Sequence, residues 1–269
     1  MRIIRFIHND NPAYGVVEGE DPPVAGDGTW DTSGLEVAVL DADPFFSPAA
    51  STGERLRYDD VRLISPMIPR SKVVGVGRNF AKHAAELDHE VPTSPLIFMK
   101  PNTAVIGPGE PIRVPDLSEH VSYEAELGVI VSRIAKNVPA EKAYDYVLGY
   151  TAANDVTLRD IQRTDNQWFR AKGFDTSCPL GPWINTDYDP EAVDIRSWVD
   201  GELKQHGNTR DMIFGIPEVI AFITETVTLL PGDVILMGTP EGVGAISAGN
   251  TTAVAIDGLG LLRNPVMDS

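Results

Sequence analysis

At 269 residues, 42% apolar and 23% charged, the chain has the composition of a globular protein with room for one large core and a small appendage. Its formal net charge of −17 repels phosphate backbones and anionic lipid, which argues against a nucleic-acid or membrane-surface partner. A single cysteine rules out an intrachain disulfide, no apolar run approaches the ~20 residues of a membrane span, and the N-terminus is too charged for a secretory leader, so the expected location is the cytoplasm.

Residues 1–66 read as a small β-rich N-terminal domain. Ile3–Ile7 and Tyr14–Val17 form strands around a turn at Asn9–Pro12, and Leu35–Leu40 forms another. The prolines of Ser65–Arg70 mark the boundary, and the main domain occupies 67–269. It opens with a strand at Lys72–Gly77 and a short helix at Phe80–Leu87, which sets His83 and Glu86 on one flank at i, i+3. Pro95–Pro101 reads as a strand that ends at proline, and Tyr123–Val131 as a single strand. Val147–Val156 is a strand that ends in Asn154-Asp155, and Thr157 is placed to cap a helix with Asp160 three residues on. Ile195–Val199, Val234–Met237 and Thr252–Ile256 are strands, and Thr209–Thr226 is a helix interrupted by Pro217. Strands outnumber helices without regular alternation. The expected class is α+β and predominantly β, a sandwich or roll, not a doubly wound sheet or a TIM barrel.

The chemistry concentrates in a few places. Glu124 and Glu126 lie two apart in an apolar strand, so both side chains face the same way. Two carboxylates on a buried face repel and are costly to desolvate, and a hard divalent cation offsets that cost. Taken alone, the pair is equally compatible with solvated residues on an edge strand. Asp155 alone fits a turn, and His83 with Glu86 alone fits an exposed helical pair. Gly75-Val76-Gly77 fails the dinucleotide fingerprint because Phe80 stands at the third glycine position, so the glycines are expected to permit a tight turn. Cys178, in an apolar segment before proline, reads as a packed small residue.

The order of these blocks is more telling than any one of them. Gly77-Arg78-Asn79-Phe80 with His83 and Glu86 comes first, then Tyr123-Glu124-Ala125-Glu126-Leu127. Asn154 to Gln162, Arg170-Ala171-Lys172-Gly173 and Gly238-Thr239-Pro240-Glu241-Gly242 follow. From about Lys72 to Pro265 the chain resembles the fumarylacetoacetate hydrolase family, in particular its acylpyruvate hydrolase, oxaloacetate decarboxylase and 2-hydroxyhepta-2,4-diene-1,7-dioate isomerase branch. The resemblance implies a mixed β-sandwich roll, usually dimeric, with a small N-terminal domain. It implies Glu124, Glu126 and Asp155 as ligands of Mg2+ or Mn2+. It implies His83 and Glu86 as a lid pair that activates water, and Lys172 as a lysine beside the metal. Arg159 and Gln162 then hold the substrate carboxylate, with Thr239 in a glycine-rich loop. Phe80 departs from the tyrosine of many relatives, and the lid tip at 88–94 carries no diagnostic motif.

Three carboxylates and one divalent ion leave such a site near −1, so Lys172 and Arg159 are expected to offset the field for a small anionic keto acid. The chemistry implied first is C–C hydrolysis of an acylpyruvate or fumarylpyruvate-like β-diketo acid by way of an enolate. Oxaloacetate decarboxylation comes second and dienedioate isomerisation third. A metal-binding protein without catalysis is disfavoured by the retention of His83, Glu86 and Lys172.

Overall fold

The computed structural model describes residues 1–45, 47–81 and 92–269. The predicted helix beyond Ala81, with His83 and Glu86 and most of the predicted lid tip, lies outside the described residues.

Strands dominate, as the alternating apolar pattern requires. The largest sheet has 12 strands among the described residues. Cys178–Asn185, Val147–Asn154, Ala125–Val131, Val234–Leu236, Lys72–Gly77 and Leu96–Pro101 lie side by side in it, in that order. Most neighbours are antiparallel, but Val234–Leu236 runs parallel to Lys72–Gly77, so the sheet is mixed. The strand Arg2–His8 adds to its other side, pairing Arg2 with Asn185 and Ile3 with Ile184. Through it the N-terminal strands Asn11–Glu18, Glu36–Leu40 and Ser51–Arg57 continue the same sheet. A five-stranded sheet holds Asp194–Val199, Glu202–Asn208 and Thr251–Ile256, and a three-stranded one holds Val121–Tyr123 between Thr157–Leu158 and Gly244–Ile246.

The core follows from strand periodicity. Leu127, Val129 and Val131 pack with Ile195, Val254 and Ile256 of the second sheet and with Val219, Ile220 and Ile223 of the helix Ile216–Thr226. Ile130 faces the opposite side, with Val73, Leu180 and Leu236. Glu126 shares the parity of Ile130 and emerges at the end of that second face. This is the β-sandwich architecture expected from the strand pattern.

Several local expectations are corrected. The run Tyr123–Val131 is two strands, Val121–Tyr123 and Ala125–Val131, and Glu124 stands at the passage from one sheet to another. Side chains replace ladder bonds there: Asn154 Oδ1 accepts from Glu124 N, and Gln205 Oε1 accepts from Ala125 N, each at 3.0 Å. Thr157 is a strand residue whose hydroxyl donates to the Asp155 carbonyl, and the helix Arg159–Thr164 starts without a side-chain cap. Its Asp160 instead accepts from Ser118 Oγ and Glu119 N. Pro217 opens the helix Ile216–Thr226, since its missing N–H would be unpaired in a first turn anyway. Gly75 and Gly77 belong to a strand and make no turn. A Cβ on Gly75 would sit 2.2 Å from the Phe98 ring, and one on Gly77 would sit 2.7 Å from Trp168. These glycines therefore let two aromatic rings lie on the backbone.

Candidate active site

Glu124, Glu126 and Asp155 converge. Each offers a carboxylate oxygen, the three oxygens lie within 4.8 Å of one another, and all three residues are buried. The edge-strand alternative is thereby excluded, because Ala125–Val131 is flanked on both sides by partners. Asp155 follows the last residue of Val147–Asn154, and its N–H donates to the Glu124 carbonyl at 2.9 Å. That bond joins the two ligand-bearing segments through the backbone.

Cations line the same site. Lys172 ends the short helix Phe169–Lys172 and is 3% exposed. Its Nζ donates to Glu124 Oε2 at 2.5 Å and to Asp155 Oδ2 at 2.6 Å. Burial works against its charge, but Asp155 and Glu124 outweigh that and hold its pKa above the usual lysine value. Arg159 donates to Glu124 Oε1, and to Gln162 Oε1 at 3.0 Å. Thr239 follows Gly238, which has φ +89° and lies so close to Asn79 that a Cβ would fall 2.7 Å from its Cβ. The Gly238 N–H donates to Glu126 Oε2 at 2.7 Å.

Glu126 stands apart from its two neighbours. Burial, then the charges of Asp155 and Glu124, push its pKa well above the usual carboxylate value. Lys172 and the Gly238 N–H pull the other way without prevailing. Oxygen ligands alone, packed this tightly and short of positive charge at Glu126, are the donor set of a hard divalent cation, so the residues fit such an ion.

The site opens into a cavity of about 310 Å3 lined by Glu124 and Glu126 and by Arg159, Gln162, Lys172 and Thr239, with Asp155 held behind it by Lys172. Glu124, Glu126, Asp155, Lys172, Arg159, Gln162 and Thr239 are thus brought together, while His83 and Glu86 lie outside the described residues. Phe98 and Trp168 form an aromatic wall with ring centroids 5.8 Å apart, and Lys172 Nζ lies 4.9 Å from the Phe98 centroid.

Two functional neighbours were missed in the sequence. Lys100 is fully buried and its Nζ donates to Asp155 Oδ1. A lone lysine inside the apolar strand Leu96–Pro101 was the available signal. Gln205, 1% exposed, sits in the polar stretch Glu202–Asn208 and gave none. Lys100 changes the charge balance. Among the described residues, Lys100 and Lys172 pair with Asp155, and Lys172 and Arg159 pair with Glu124, so Lys100 is a third cation beside the two expected to offset the carboxylates. Cys178 is fully buried, and burial raises its pKa to about 12, as befits a packing residue.

Comparison with known proteins agrees with this construction. Residues 72–267 match the family described as fumarylacetoacetate (FAA) hydrolase C-terminal, and residues 1–66 match Rv2993c-like, N-terminal. The mitochondrial oxaloacetate tautomerase fahd2 of Xenopus laevis is 41% identical, over 99% of this chain and 90% of that protein. The solved structure of a 2-hydroxyhepta-2,4-diene-1,7-dioate isomerase from Mycobacterium marinum is 42% identical with a TM-score of 0.88, covering 100% of this chain and 99% of that one. That of a fumarylpyruvate hydrolase from Pseudomonas aeruginosa, in complex with Mn2+ and pyruvate, is 30% identical with a TM-score of 0.71, covering 81% of this chain and 94% of that one. With a family match over most of its length and the acidic site in place, the chain is a member of the fumarylacetoacetate hydrolase family.

Proposed function

We propose that the protein is a divalent-metal-dependent enzyme that hydrolyses a C–C bond in an acylpyruvate or fumarylpyruvate-like β-diketo acid. The observation that carries the reading is the buried Glu124, Glu126 and Asp155 group, of which Glu124 and Glu126 line a cavity shared with Lys172 and Arg159. Those three carboxylates would hold Mg2+ or Mn2+, and the name of the fumarylpyruvate hydrolase neighbour supports that choice. When bound, the ion supplies Lewis acidity that stabilises negative charge on a 2-oxo group.

The chain's own residues supply the rest. Lys172 and Arg159 place positive charge beside the carboxylates, which draws an anionic acid into a chain of net charge −17. Lys172, shielded from water, also stabilises enolate charge that develops as the C–C bond breaks. Arg159 and Gln162 orient the substrate carboxylate, and Thr239 offers a hydroxyl from the opposite loop. Phe98 and Trp168 exclude water from one wall. In this reading His83 takes a proton from the attacking water and Glu86 steadies the imidazolium. The reading also carries a homodimer in the cytoplasm, with a catalytic domain over 67–269 beside the small one over 1–66.

A second reading stops at the enolate. The oxaloacetate tautomerase and dienedioate isomerase relatives favour it, since tautomerisation and isomerisation need only proton transfer. Oxaloacetate decarboxylation reaches the same enolate by loss of CO2. Turnover of acylpyruvates, oxaloacetate and hydroxymuconates, with EDTA or with added Mg2+, separates these readings. Pyruvate and a carboxylic acid released from acylpyruvates is the expected result. Turnover of oxaloacetate or hydroxymuconates alone would transfer the assignment to the second reading.

A further inference from the structure

Gln205 is a buried amide whose orientation is forced. Its Oε1 accepts from the Ala125 N–H at 3.0 Å and from Ser197 Oγ at 2.9 Å. A backbone N–H accepts nothing, so the oxygen of the amide must face this side. The Nε2 end then points the other way and donates to Thr239 Oγ1 and to the Pro240 carbonyl, both at 2.8 Å. Every hydrogen-bonding position of the amide that faces the protein is used, within a residue 1% exposed.

The consequence falls on Thr239, which is 3% exposed and lines the cavity. A hydroxyl holds one proton and two lone pairs. The Gln205 N–H occupies a lone pair, so the Thr239 proton is left to point elsewhere. Among the described residues no hydrogen bond is donated by Thr239 Oγ1. We propose that Gln205 is a positioning residue that sets the Thr239 hydroxyl as a donor into the cavity, where it binds an anionic oxygen of a 2-oxo acid. The inference rests on the reading of the cavity as a 2-oxo acid site. Gln205 never touches the ligand; it acts by denying Thr239 an acceptor on the protein side.

Gln205→Glu reverses this polarity with little change of shape. The carboxylate keeps an acceptor for Ala125 and Ser197 but turns a second acceptor toward Thr239, which then donates its proton into the protein. The test is calorimetric binding of Mn2+, and then of pyruvate to the Mn2+-loaded protein, in wild type, Gln205→Glu, Thr239→Val, Thr239→Ser and the Gln205→Glu/Thr239→Val double variant. A lost hydrogen bond to a charged ligand weakens binding by roughly tenfold or more. That loss is expected in Gln205→Glu and in Thr239→Val, with Thr239→Ser within about twofold of wild type. The double variant is expected to lose no more than Thr239→Val alone, with Mn2+ affinity unchanged throughout. Should Gln205→Glu not fold, Gln205→Met takes its place: it removes the N–H that occupies the Thr239 lone pair, so the hydroxyl is no longer held as a donor into the cavity and pyruvate affinity is again expected to fall. Unchanged pyruvate affinity in the Gln205 variant, additive losses in the double variant, or loss of Mn2+ binding with Gln205 would each overturn the inference, the last by showing a purely structural role through Ala125. Failure of the wild type to bind Mn2+ or pyruvate would instead overturn the proposed function itself.

Discussion

Lys100 and Asp155 form an ion pair in which both side chains are fully shielded from solvent. Lys172 takes the other oxygen of the same carboxylate at 2.6 Å, so Asp155 is clamped from two sides. Removing one partner of a buried pair leaves an uncompensated charge and costs about 3–5 kcal/mol. Lys100→Met is expected near the lower figure because Lys172 remains. For a chain of this size that corresponds to a Tm fall of roughly 6–12 °C. Thermal unfolding with excess chelator checks this. A shift under about 2 °C would show that the pair contributes little to the fold.

Among the described residues, Glu126 is the one of the three carboxylates that forms no ion pair. Mn2+ at about 100 times its Kd is expected to stabilise the wild type by about 2.7 kcal/mol, and Glu126→Gln hardly at all. Without metal, Glu126→Gln is expected to be at least as stable as wild type, since it removes a buried carboxylate repelled by Asp155 and Glu124. A Glu126→Gln protein that responds to Mn2+ like the wild type would remove Glu126 from the ligand set.

Lys172→Met keeps the bulk of the side chain and deletes its charge. Loss of one such electrostatic contact typically costs about 3 kcal/mol, so kcat/KM is expected to fall by roughly 10²-fold in the metal-loaded enzyme. Steady-state kinetics on the purified variant decide. A change below about threefold would reduce Lys172 to a structural partner of Glu124 and Asp155.

Gly75→Ala tests the aromatic wall. The new methyl would collide with Phe98, the ring that lies beside Lys172. Overpacking of this kind costs about 1–3 kcal/mol. Displacement of the ring is expected to lower kcat/KM as well as Tm, and Gly75→Ala combined with Phe98→Leu is expected to recover part of both. Failure of the double variant to recover Tm would mean that Phe98 is not what the methyl strikes.

Asp21 supplies a pH dependence remote from the site. Burial raises its pKa from 3.8 to about 6; Arg2 pulls it down and Asp257 pushes it up. A raised carboxylate pKa means that the folded state holds the proton more tightly than the unfolded one. Its contribution is therefore fully present below pH 3.8 and is lost as pH rises through about 6. Asp21→Asn is expected to raise Tm at pH 8 and leave it nearly unchanged near pH 4. Equal Tm shifts at both values would place the effect elsewhere.

The sequence made the carboxylates legible because a buried strand advertises its charged intruders. Glu124 and Glu126 interrupt an apolar run, and Asp155 ends another. What it hid was long-range. The break at Glu124 depends on Asn154 and Gln205, which lie 30 positions from Glu124 and 80 positions from Ala125 respectively, so local periodicity read one strand. Lys100 drew no reading of its own within the strand that ends at proline, because its partner Asp155 lies 55 positions away. Gly75 and Gly77 read as turn residues because the rings that need their missing side chains come from Phe98 and Trp168. Thr157 satisfied the local cap pattern, yet pairing with Ser122 made it a strand residue.

The central claim is that metal and lysine together stabilise an enolate of a small 2-oxo acid. Hydrolysis, decarboxylation and tautomerisation all pass through that species, so the most direct measurement does not depend on which of them the protein performs. Exchange of the C3 protons of pyruvate for deuterium in D2O can be followed by proton NMR with the Mg2+-loaded protein. The account predicts enzyme-dependent exchange that EDTA abolishes, that Mg2+ restores, and that Glu126→Gln and Lys172→Met each reduce by at least about 10²-fold. Exchange that persists undiminished without metal, or no exchange by the Mg2+-loaded wild type, would contradict it.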